Sequence, residues 1–279
     1  MFYANTIEKA ACTDSSLRAE IAGVDFDLID SQRVLRSIRH WRTSGQQGMI
    51  SLVNPHTVLE CRRDPEMNNA IRQSTLVLPD GTGIILGAKI LSYAHCGRLP
   101  GPSLLLHICD EGRRYGLSHY FYGGDEGVAQ KVSENLCRQF PGIHIAGHHF
   151  PPFRELSPQE DGDIVERINA TKPTILWVGL GAPKQEKWMA RHACRISAPA
   201  MIGVGAAFDF HSGTKAWCPA PLRALGLEWA YRLAHEPKRL WRRNVDSLRF
   251  LGLVASQVLT SFSTEGPRPH DPRVSSPRQ

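Results

Sequence analysis

The sequence lacks any apolar run that could cross a membrane, since no stretch approaches the roughly 18 consecutive apolar residues of a spanning helix. It begins MFYANTIE, without a basic segment followed by an apolar core, so we expect no signal peptide. Its seven cysteines are an odd number and form no Cys-x-x-Cys pair. These absences favour reduced thiols in a cytoplasm and argue against a disulfide framework or a zinc site. Any membrane contact would therefore be peripheral.

Motifs for nucleotide cofactors and for nucleophilic catalysis are also missing. The loops at residues 179–181 and 203–205 both read Gly-x-Gly, but a dinucleotide fingerprint needs a third glycine where Lys184 and Phe208 stand. There is no Walker A sequence, nucleophile elbow or His-x-x-x-His pattern. The glycines of either loop could still bring backbone N–H groups to a phosphate at a helix N-terminus, although a plain tight turn explains each loop equally well.

Two Asp-x-Asp triplets, at residues 25–27 and 161–163, raise the question of a divalent metal ion. The second triplet lies in a predicted first helical turn, where acidic side chains favour the helix dipole. The first alternates along a predicted strand. We therefore expect neither triplet to bind a metal ion, and we expect no metal site and no cofactor.

The composition is that of a globular protein. Of 279 residues, 42% are hydrophobic and 22% are charged, and the length suits one large α/β domain or one domain with an appendage. The formal net charge of +6 fits nucleic acid, an anionic membrane surface or phosphate-bearing substrates without choosing among them.

Strand and helix patterns alternate along most of the chain. This alternation predicts an α/β fold, a single mostly parallel sheet covered by helices on both faces. The predicted strands are residues 21–28, 49–53, 75–78, 119–122, 143–146, 174–178 and 199–204. Helices are predicted at 56–72 with a break at Pro65, and at 84–91, 104–115, 128–140, 157–170 and 185–194, among others.

The character changes from residue 226, where two helical runs, 227–243 and 245–262, follow without a strand. Between residues 223 and 249 seven basic side chains face three acidic ones, which leaves four net positive charges, and aromatic residues are interleaved. This combination suits a membrane interface, although a basic solvated face with core aromatics has the same composition. We divide the chain into an α/β domain (1–225), a basic helical appendage (226–263) and a tail (264–279) expected to be disordered.

Asp80 occupies the most informative position. A buried strand ends at Pro79, and a helix begins shortly after Gly81, so Asp80 lies at the carboxyl end of a strand. Ligands of open α/β sheets bind at that edge. A carboxylate there could cap the helix, accept a proton, or do both. The neighbouring glycines would let another molecule approach the backbone, which a simple cap does not need.

Lys184, Gln185 and Glu186 open another predicted helix after the 179–181 loop. Lysine is unfavourable near the positive end of a helix dipole, so Lys184 suggests a bound anion there, unless its side chain simply bends away.

Seven sequence segments, by their residues, number and order, resemble the motifs of the WecG/TagA/CpsF family of bacterial glycosyltransferases. They are NP at 54–55, PDGTGI at 79–84, GR at 97–98 with Gly101, YGGDEGV at 122–128, GLGAPKQEKW at 179–188, GVGAAFDF at 203–210 and GLEWAYRLAHEPKR at 226–239. Departures from the family pattern stand at Leu52, Ser103 and Trp217.

The resemblance implies an inverting transferase without an Asp-x-Asp metal site. It would move a sugar from a nucleoside diphosphate, usually uridine-linked, to a polyprenyl-diphosphate-linked saccharide at the inner face of the cytoplasmic membrane, in cell-surface polysaccharide synthesis. Its partners would be those substrates and an anionic membrane surface, not nucleic acid, and a homo-oligomer is compatible with the sequence.

Individual residues have expected roles in such a transferase. Asp80 would be the general base, because inversion needs one base and no covalent intermediate. The candidate substrate-binding residues are Asn54, Gly81, Arg98, Gly181, Lys184, Gln185 and Glu186. The candidates for contact with the acceptor diphosphate or the membrane are Arg232, Arg239, Arg242 and Arg243.

Two other classes stay open at this point. A non-catalytic, membrane-associated assembly factor would keep the basic helices without needing Asp80. A nucleotide-dependent oxidoreductase would need the glycine fingerprint that the chain lacks.

Overall fold

The computed structural model describes residues 18–93 and 97–264, without the side chains of Arg239 and residues 261–264. Apart from Thr264, the tail expected to be disordered lies outside this part. Within it, six strands form one sheet in the order β4-β3-β8-β7-β5-β6, and every neighbouring pair is parallel. These strands are β3 Gly48–Val53, β4 Leu76–Pro79, β5 Ser118–Gly123, β6 His144–His149, β7 Ile175–Gly179 and β8 Ala200–Gly203. All six predicted strands of the sheet, and their parallel arrangement, are confirmed.

The predicted strand at 21–28 is wrong as a single element. Residues 18–27 form an antiparallel hairpin of β1 Arg18–Ile21 and β2 Val24–Asp27. Ala22 and Gly23 both have positive φ, at 53° and 86°, which is the geometry of a tight hairpin turn. The hairpin covers edge strand β4, because the Asp27 carboxylate accepts a hydrogen bond from Val77 N at 2.9 Å.

Twelve α-helices are described in residues 18–93 and 97–264. The first six are α1 Ser31–Ser44, α2 Pro55–Arg63, α3 Pro65–Gln73, α4 Thr82–Ile90, α5 Gly101–Gly112 and α6 Val128–Gln139. The others are α7 Pro158–Ala170, α8 Lys184–His192, α9 Ala207–His211, α10 Ala220–Ala224, α11 Glu228–His235 and α12 Pro237–Thr264. The predicted break at Pro65 is confirmed, since α3 begins there with Asp64 as its N-cap.

Helices cover both faces of the sheet, as the alternation predicts. Side chains of α1, α5, α6 and α9 share one apolar cluster with Ile50, Leu52 and Trp177. Helices α2, α3, α4, α7, α8 and α12 and the hairpin cover the opposite face, where Val53 and Val178 point. Adjacent residues of one strand thus enter different clusters, which the two-residue repeat of a strand requires.

Two predicted helix boundaries need correction. Helix α5 begins at Gly101, three residues before the prediction, and ends at Gly112 before a short 3-10 turn. A side chain at Gly101 would meet Leu52 Cδ1 at 3.0 Å and Val204 O at 3.2 Å, so the missing Cβ lets this helix approach the sheet. The last two helices divide at Glu236, and not at residue 244. Glu236 precedes a proline, which disfavours helical geometry.

Helix α12 packs directly on the α/β domain. Phe250 and Val254 are fully buried among side chains of α2 and α4. Gln257 accepts a hydrogen bond from Ala22 N at 2.8 Å and donates one to Glu20 O at 3.0 Å. The division of the chain at residue 226 stays a prediction.

The cysteines in the described part, Cys61, Cys109, Cys137, Cys194 and Cys218, carry free thiols. In the same part of the chain, no helix is both long enough and apolar enough to span a bilayer.

Candidate active site

The carboxyl ends of the parallel strands open into one cavity of about 1950 Å³. All six strands contribute the residue at their end or the loop that follows, as expected for a ligand site of an open α/β sheet. These contributions include Asn54 after β3, Asp80 after β4, Gly124 after β5, Gly181 after β7 and Gly205 after β8. Helices α11 and α12 close one side of the cavity with Glu228, Arg232 and Arg243, among others.

Asp80 lies at the floor of this cavity between two cationic groups and one anionic group. Its backbone N donates to Val53 O at 2.9 Å, which extends the β3–β4 pairing by one residue. Burial raises the pKa of its carboxyl group from 3.8 to about 6, and the charge of Glu228 adds to the increase. Arg232 and Arg98 oppose it. A carboxylate with a pKa near neutrality can accept a proton from a hydroxyl group and release it again to water.

Arg98 connects the loop before α5 to the C-terminal helices. Its guanidinium contacts Glu228 Oε2 at 3.4 Å and donates to Arg223 O at 3.3 Å. The side chains of Arg98 and Glu228 are only 20% and 12% exposed, so solvent screens their attraction weakly. In the sequence, Glu228 is only one of the three acidic residues between positions 223 and 249. Its place beside Asp80 depends on how α11 folds back over the sheet.

Asn54 and Gly81 lie on either side of the same corner. Asn54 Oδ1 caps α2 by accepting from Thr57 N at 3.1 Å, and the residue also lines the cavity. Gly81 has φ of 93°, a conformation that a side chain disfavours, and it turns the chain from β4 into α4. These two positions therefore shape the corner that presents Asp80.

Gln185 and Glu186 form a buried hydrogen-bonded pair at the start of α8. Gln185 Oε1 accepts from Gly205 N at 2.9 Å, and Gln185 Nε2 donates to Glu186 Oε1 at 2.7 Å. Glu186 Oε2 has no hydrogen-bond partner among the described residues. Burial raises the pKa of the Glu186 carboxyl group to about 7, against the opposing effects of the Gln185 hydrogen bond and the Arg243 charge. The pair thus fixes the loop after β8 against the first turn of α8.

Lys184 and Gly181 remain accessible to a ligand. Lys184 is exposed and lines the cavity at the N-terminus of α8, where the helix dipole adds to its positive charge. Gly181 has φ of 76°, and a Cβ built there would meet no atom within 4 Å. An anion can therefore reach the backbone of this loop.

The four predicted contact arginines do not occupy equivalent positions. Arg232 and Arg243 line the cavity, and the Arg232 guanidinium lies 5.4 Å from the centre of the Phe210 ring. Arg242 is exposed and is not among the cavity-lining residues. The side chain of Arg239 lies outside the described part of the chain.

One aspartate of each Asp-x-Asp triplet has protein partners on both carboxylate oxygens. Asp27 accepts from Arg18 Nε at 3.2 Å as well as from Val77 N. Asp161 lines the cavity, but its two carboxylate oxygens face His192 Nε2 and the Arg195 guanidinium. Neither aspartate therefore presents an unoccupied pair of oxygens to a metal ion.

A different group brings three ligand types close together, namely His56, Glu60 and Asp246, whose atoms lie within 4.8 Å of one another. Arg63 already contacts Asp246 at 2.7 Å and Glu60 at 2.9 Å, and His56 Nδ1 lies 2.7 Å from Asp246. The guanidinium thus already pairs with both carboxylates that a metal ion would need. This group therefore serves as an ionic link between α2 and α12.

The cavity wall opposite α11 and α12 is a second feature that was not predicted from the sequence. It consists of the loop before α7 and part of α8, and it brings the exposed Phe153 and Arg191 and the buried Trp188 to the cavity. The sequence feature that could have indicated this wall is PPF at residues 151–153, between a predicted strand and a predicted helix. Two consecutive prolines restrict the backbone and place an aromatic side chain at the tip of the turn.

Trp217, one of the departures from the family pattern, has a defined role in packing. The Arg223 guanidinium stacks on its ring at 3.8 Å, and Arg223 O in turn accepts from Arg98.

Comparison with known proteins identifies the family of this chain. The model of the glycosyl transferase WecG/TagA/CpsF family matches residues 19–264. Among similar curated proteins are the N-acetylglucosaminyldiphosphoundecaprenol N-acetyl-beta-D-mannosaminyltransferases of Staphylococcus aureus strains MW2 and NCTC 8325 / PS 47. Each is 28% identical over 239 residues, which cover 85% of this chain and 91% of the relative. The chain therefore belongs to the WecG/TagA/CpsF family and is a glycosyltransferase.

Proposed function

We propose that this enzyme is an inverting glycosyltransferase that moves a sugar from a uridine-diphosphate sugar to a polyprenyl-diphosphate-linked saccharide in cell-surface polysaccharide synthesis. The observation that carries the proposal is Asp80, a carboxyl group with a pKa of about 6 at the floor of the cavity, between Arg98 and Arg232. The acceptor class is supported by the relatives, whose name specifies N-acetylglucosaminyl-diphosphoundecaprenol.

Asp80 acts as the general base. Its carboxylate takes the proton of the acceptor hydroxyl group while that oxygen forms a bond to the anomeric carbon. The bond from the anomeric carbon to the diphosphate oxygen breaks on the opposite face, and the electron pair leaves with the nucleoside diphosphate. One carboxylate suffices because the sugar is never attached to the enzyme.

Positive charge around the cavity stabilises the leaving diphosphate. Lys184 and the loop at Gly181 provide an anion site at the N-terminus of α8. Gln185 and Glu186 hold the neighbouring loop at Gly205, so the donor meets a preformed surface. Asn54 and Gly81 shape the corner that brings the sugar to Asp80.

The C-terminal helices bring the acceptor to the same cavity. Arg232 and Arg243 point into it and suit the acceptor diphosphate. The exposed Arg242, together with Arg239, suits the headgroups of an anionic bilayer. The enzyme would then work as a peripheral protein on the inner face of the cytoplasmic membrane.

The test is a transfer assay with a panel of uridine-diphosphate sugars, N-acetylhexosamines first, and a short-chain N-acetylglucosaminyl-diphosphoprenol acceptor. We expect one donor to give a disaccharide product with inverted anomeric configuration and Asp80→Asn to give little or none. Retention of configuration, or transfer that does not depend on Asp80, would overturn the mechanism. Absence of transfer with every donor and acceptor would instead favour a non-catalytic assembly role.

A further inference from the structure

The loop between β6 and α7 presents an aromatic side chain to solvent at the mouth of the cavity. Phe153 is 83% exposed, more than any other large apolar side chain in the described part of the chain, and it lines the cavity. Its loop follows β6 at one edge of the sheet, whereas α12 packs on α2 and α4, which follow β3 and β4 at the other edge. Phe153 therefore lies on the wall opposite α11 and α12, which carry the basic residues assigned to the membrane above.

The loop is held in place next to Phe153. Arg154 forms two hydrogen bonds to the Glu160 carboxylate, Nη1 to Oε2 at 2.8 Å and Nη2 to Oε1 at 2.5 Å. The same carboxylate accepts from Ser157 N at 2.8 Å and completes the capping box of α7. Pro151 and Pro152 restrict the chain before Phe153. These contacts anchor the loop, and the anchored loop holds Phe153 in its exposed position.

Exposed apolar side chains are concentrated around this cavity. A single exposed apolar residue needs no explanation, but a rim of them marks a binding surface. Five of the eleven large apolar side chains exposed in the described residues line the cavity, and they come from α4, the Phe153 loop, α11 and α12. The five are Leu86, Phe153, Trp229, Trp241 and Leu248.

Basic side chains accompany the apolar ones on both walls. Lys184 and Arg191 of α8 are exposed and line the cavity, as do the acidic Asp125 and Glu155. Arg242 is exposed beside Trp241 on the other side. Apolar tips between cationic groups are complementary to a surface with anionic headgroups above a hydrocarbon layer.

We infer that the Phe153 loop is a second membrane contact of this enzyme, inserting Phe153 into an anionic bilayer on the wall of the cavity opposite α11 and α12. The inference rests on the proposed function, since it assumes a membrane-borne acceptor. With both walls on the bilayer, the mouth of the cavity faces the headgroup layer. The diphosphate of the acceptor can then enter while its prenyl chain stays in lipid.

The test is co-sedimentation of the full chain with phosphatidylglycerol vesicles. Phe153→Asp should lower the partition coefficient about tenfold, because a buried phenyl group is lost and a negative charge is introduced. Phe153→Trp should retain binding, since tryptophan favours the membrane interface. Tyr115→Asp is the matched control. Tyr115 is also exposed, at 40%, but it precedes β5 at the amino ends of the strands and does not line the cavity, so this variant should bind as wild type does.

Three outcomes would overturn the inference: wild-type sedimentation of Phe153→Asp, an equal loss in Tyr115→Asp, or a loss in Phe153→Trp as large as in Phe153→Asp. If thermal unfolding shows that Phe153→Asp does not fold, Phe153→Ser replaces it under the same criteria. Transfer to the short-chain acceptor in solution separates the two proposals. Failure of wild-type transfer rejects the proposed function, whereas the vesicle assay alone decides the role of Phe153.

Discussion

Arg98 Nη1 lies 3.4 Å from Glu228 Oε2, and this contact brings the loop before α5 and helix α11 together beside Asp80. Arg98 and Glu228 have opposite effects on the Asp80 carboxyl group, because Arg98 lowers its pKa and Glu228 raises it. The C-terminal segment therefore supplies part of the electrostatic environment of the proposed base.

The first prediction concerns pH. Because Asp80 must be ionised to accept a proton, kcat/KM of the wild type should fall as the pH decreases through about 6. Glu228→Gln removes a negative charge, so the acidic limb should move to lower pH. Glu134→Gln, an exposed change on α6, is the control. A pH–rate profile of each enzyme makes the comparison, and an acidic limb that Glu228→Gln leaves in place would contradict the role of Glu228.

The second prediction separates the activity of Asp80 from its effect on stability. Asp80→Asn should lower kcat by about 10²–10⁴-fold, the usual contribution of a general base. Its pKa is higher in the folded state than the ordinary 3.8, so its contribution to stability is present at low pH and is lost as the pH rises through about 6. At pH 7.5 the variant should therefore unfold at a temperature no lower than wild type. A variant that is inactive and also less stable would point to a structural role.

The third prediction concerns the Gln185–Glu186 pair. Gln185→Leu leaves Gly205 N and Glu186 Oε1 without their partner, which should cost about 1–3 kcal/mol and raise the KM for the donor. Glu186→Gln resembles the protonated acid and should keep the donor KM near that of wild type. Because the pKa of Glu186 is raised to about 7, wild type should lose stability as the pH rises through 7, and Glu186→Gln should lose less. Steady-state kinetics and thermal unfolding at pH 6 and 8 measure both effects, and equal donor KM values for the two variants would refute this role.

The fourth prediction is that chelation leaves transfer intact. The oxygens of Asp27 and Asp161 already bind protein groups, and Arg63 contacts both carboxylates of the His56–Glu60–Asp246 group. Activity after treatment with EDTA and gel filtration should equal that of the untreated enzyme. Loss of transfer that magnesium or manganese restores would show that the metal-free mechanism is wrong.

The fifth prediction divides the arginines of α12 by position. Arg239→Glu with Arg242→Glu should reduce sedimentation with anionic vesicles, and wild-type binding should weaken as salt rises, because salt screens this attraction. Arg243→Glu should instead reduce transfer even to the short-chain acceptor, because Arg243 lines the cavity. Unchanged sedimentation of the double variant would reject electrostatic recruitment through these two residues.

Much of the fold follows from local patterns. Most strands of the sheet are short apolar runs bounded by glycine, proline or polar residues, and parallel strands buried on both faces have this appearance, whereas the edge strand β6 is rich in histidine and has no buried residue. The same patterns fail where a turn or a helix boundary depends on one residue. The Ala22–Gly23 turn interrupts an apparently continuous strand, and Glu236 before a proline divides two helices whose amphipathic patterns run together.

The position of Asp80 at the end of β4 was predictable, because the strand, the proline and the glycines are local in sequence. The same is true of the first turn of α8. The charges that tune Asp80 were not predictable in this way, since Glu228 and Arg232 lie about 150 residues away in the chain and reach it only when α11 folds over the cavity.

The sequence by itself determined the class of fold, the family and the carboxylate at the sheet edge, because strand and helix patterns, glycine turns and motif order are properties of neighbouring residues. Only the tertiary structure decided which side chains share a cavity: that Arg243 lines it and Arg242 does not, that Gln185 holds Gly205, and that Phe153 and Trp241 line the same cavity. The physical reason is that side-chain charge and exposure depend on packing between distant segments, which a linear pattern does not record.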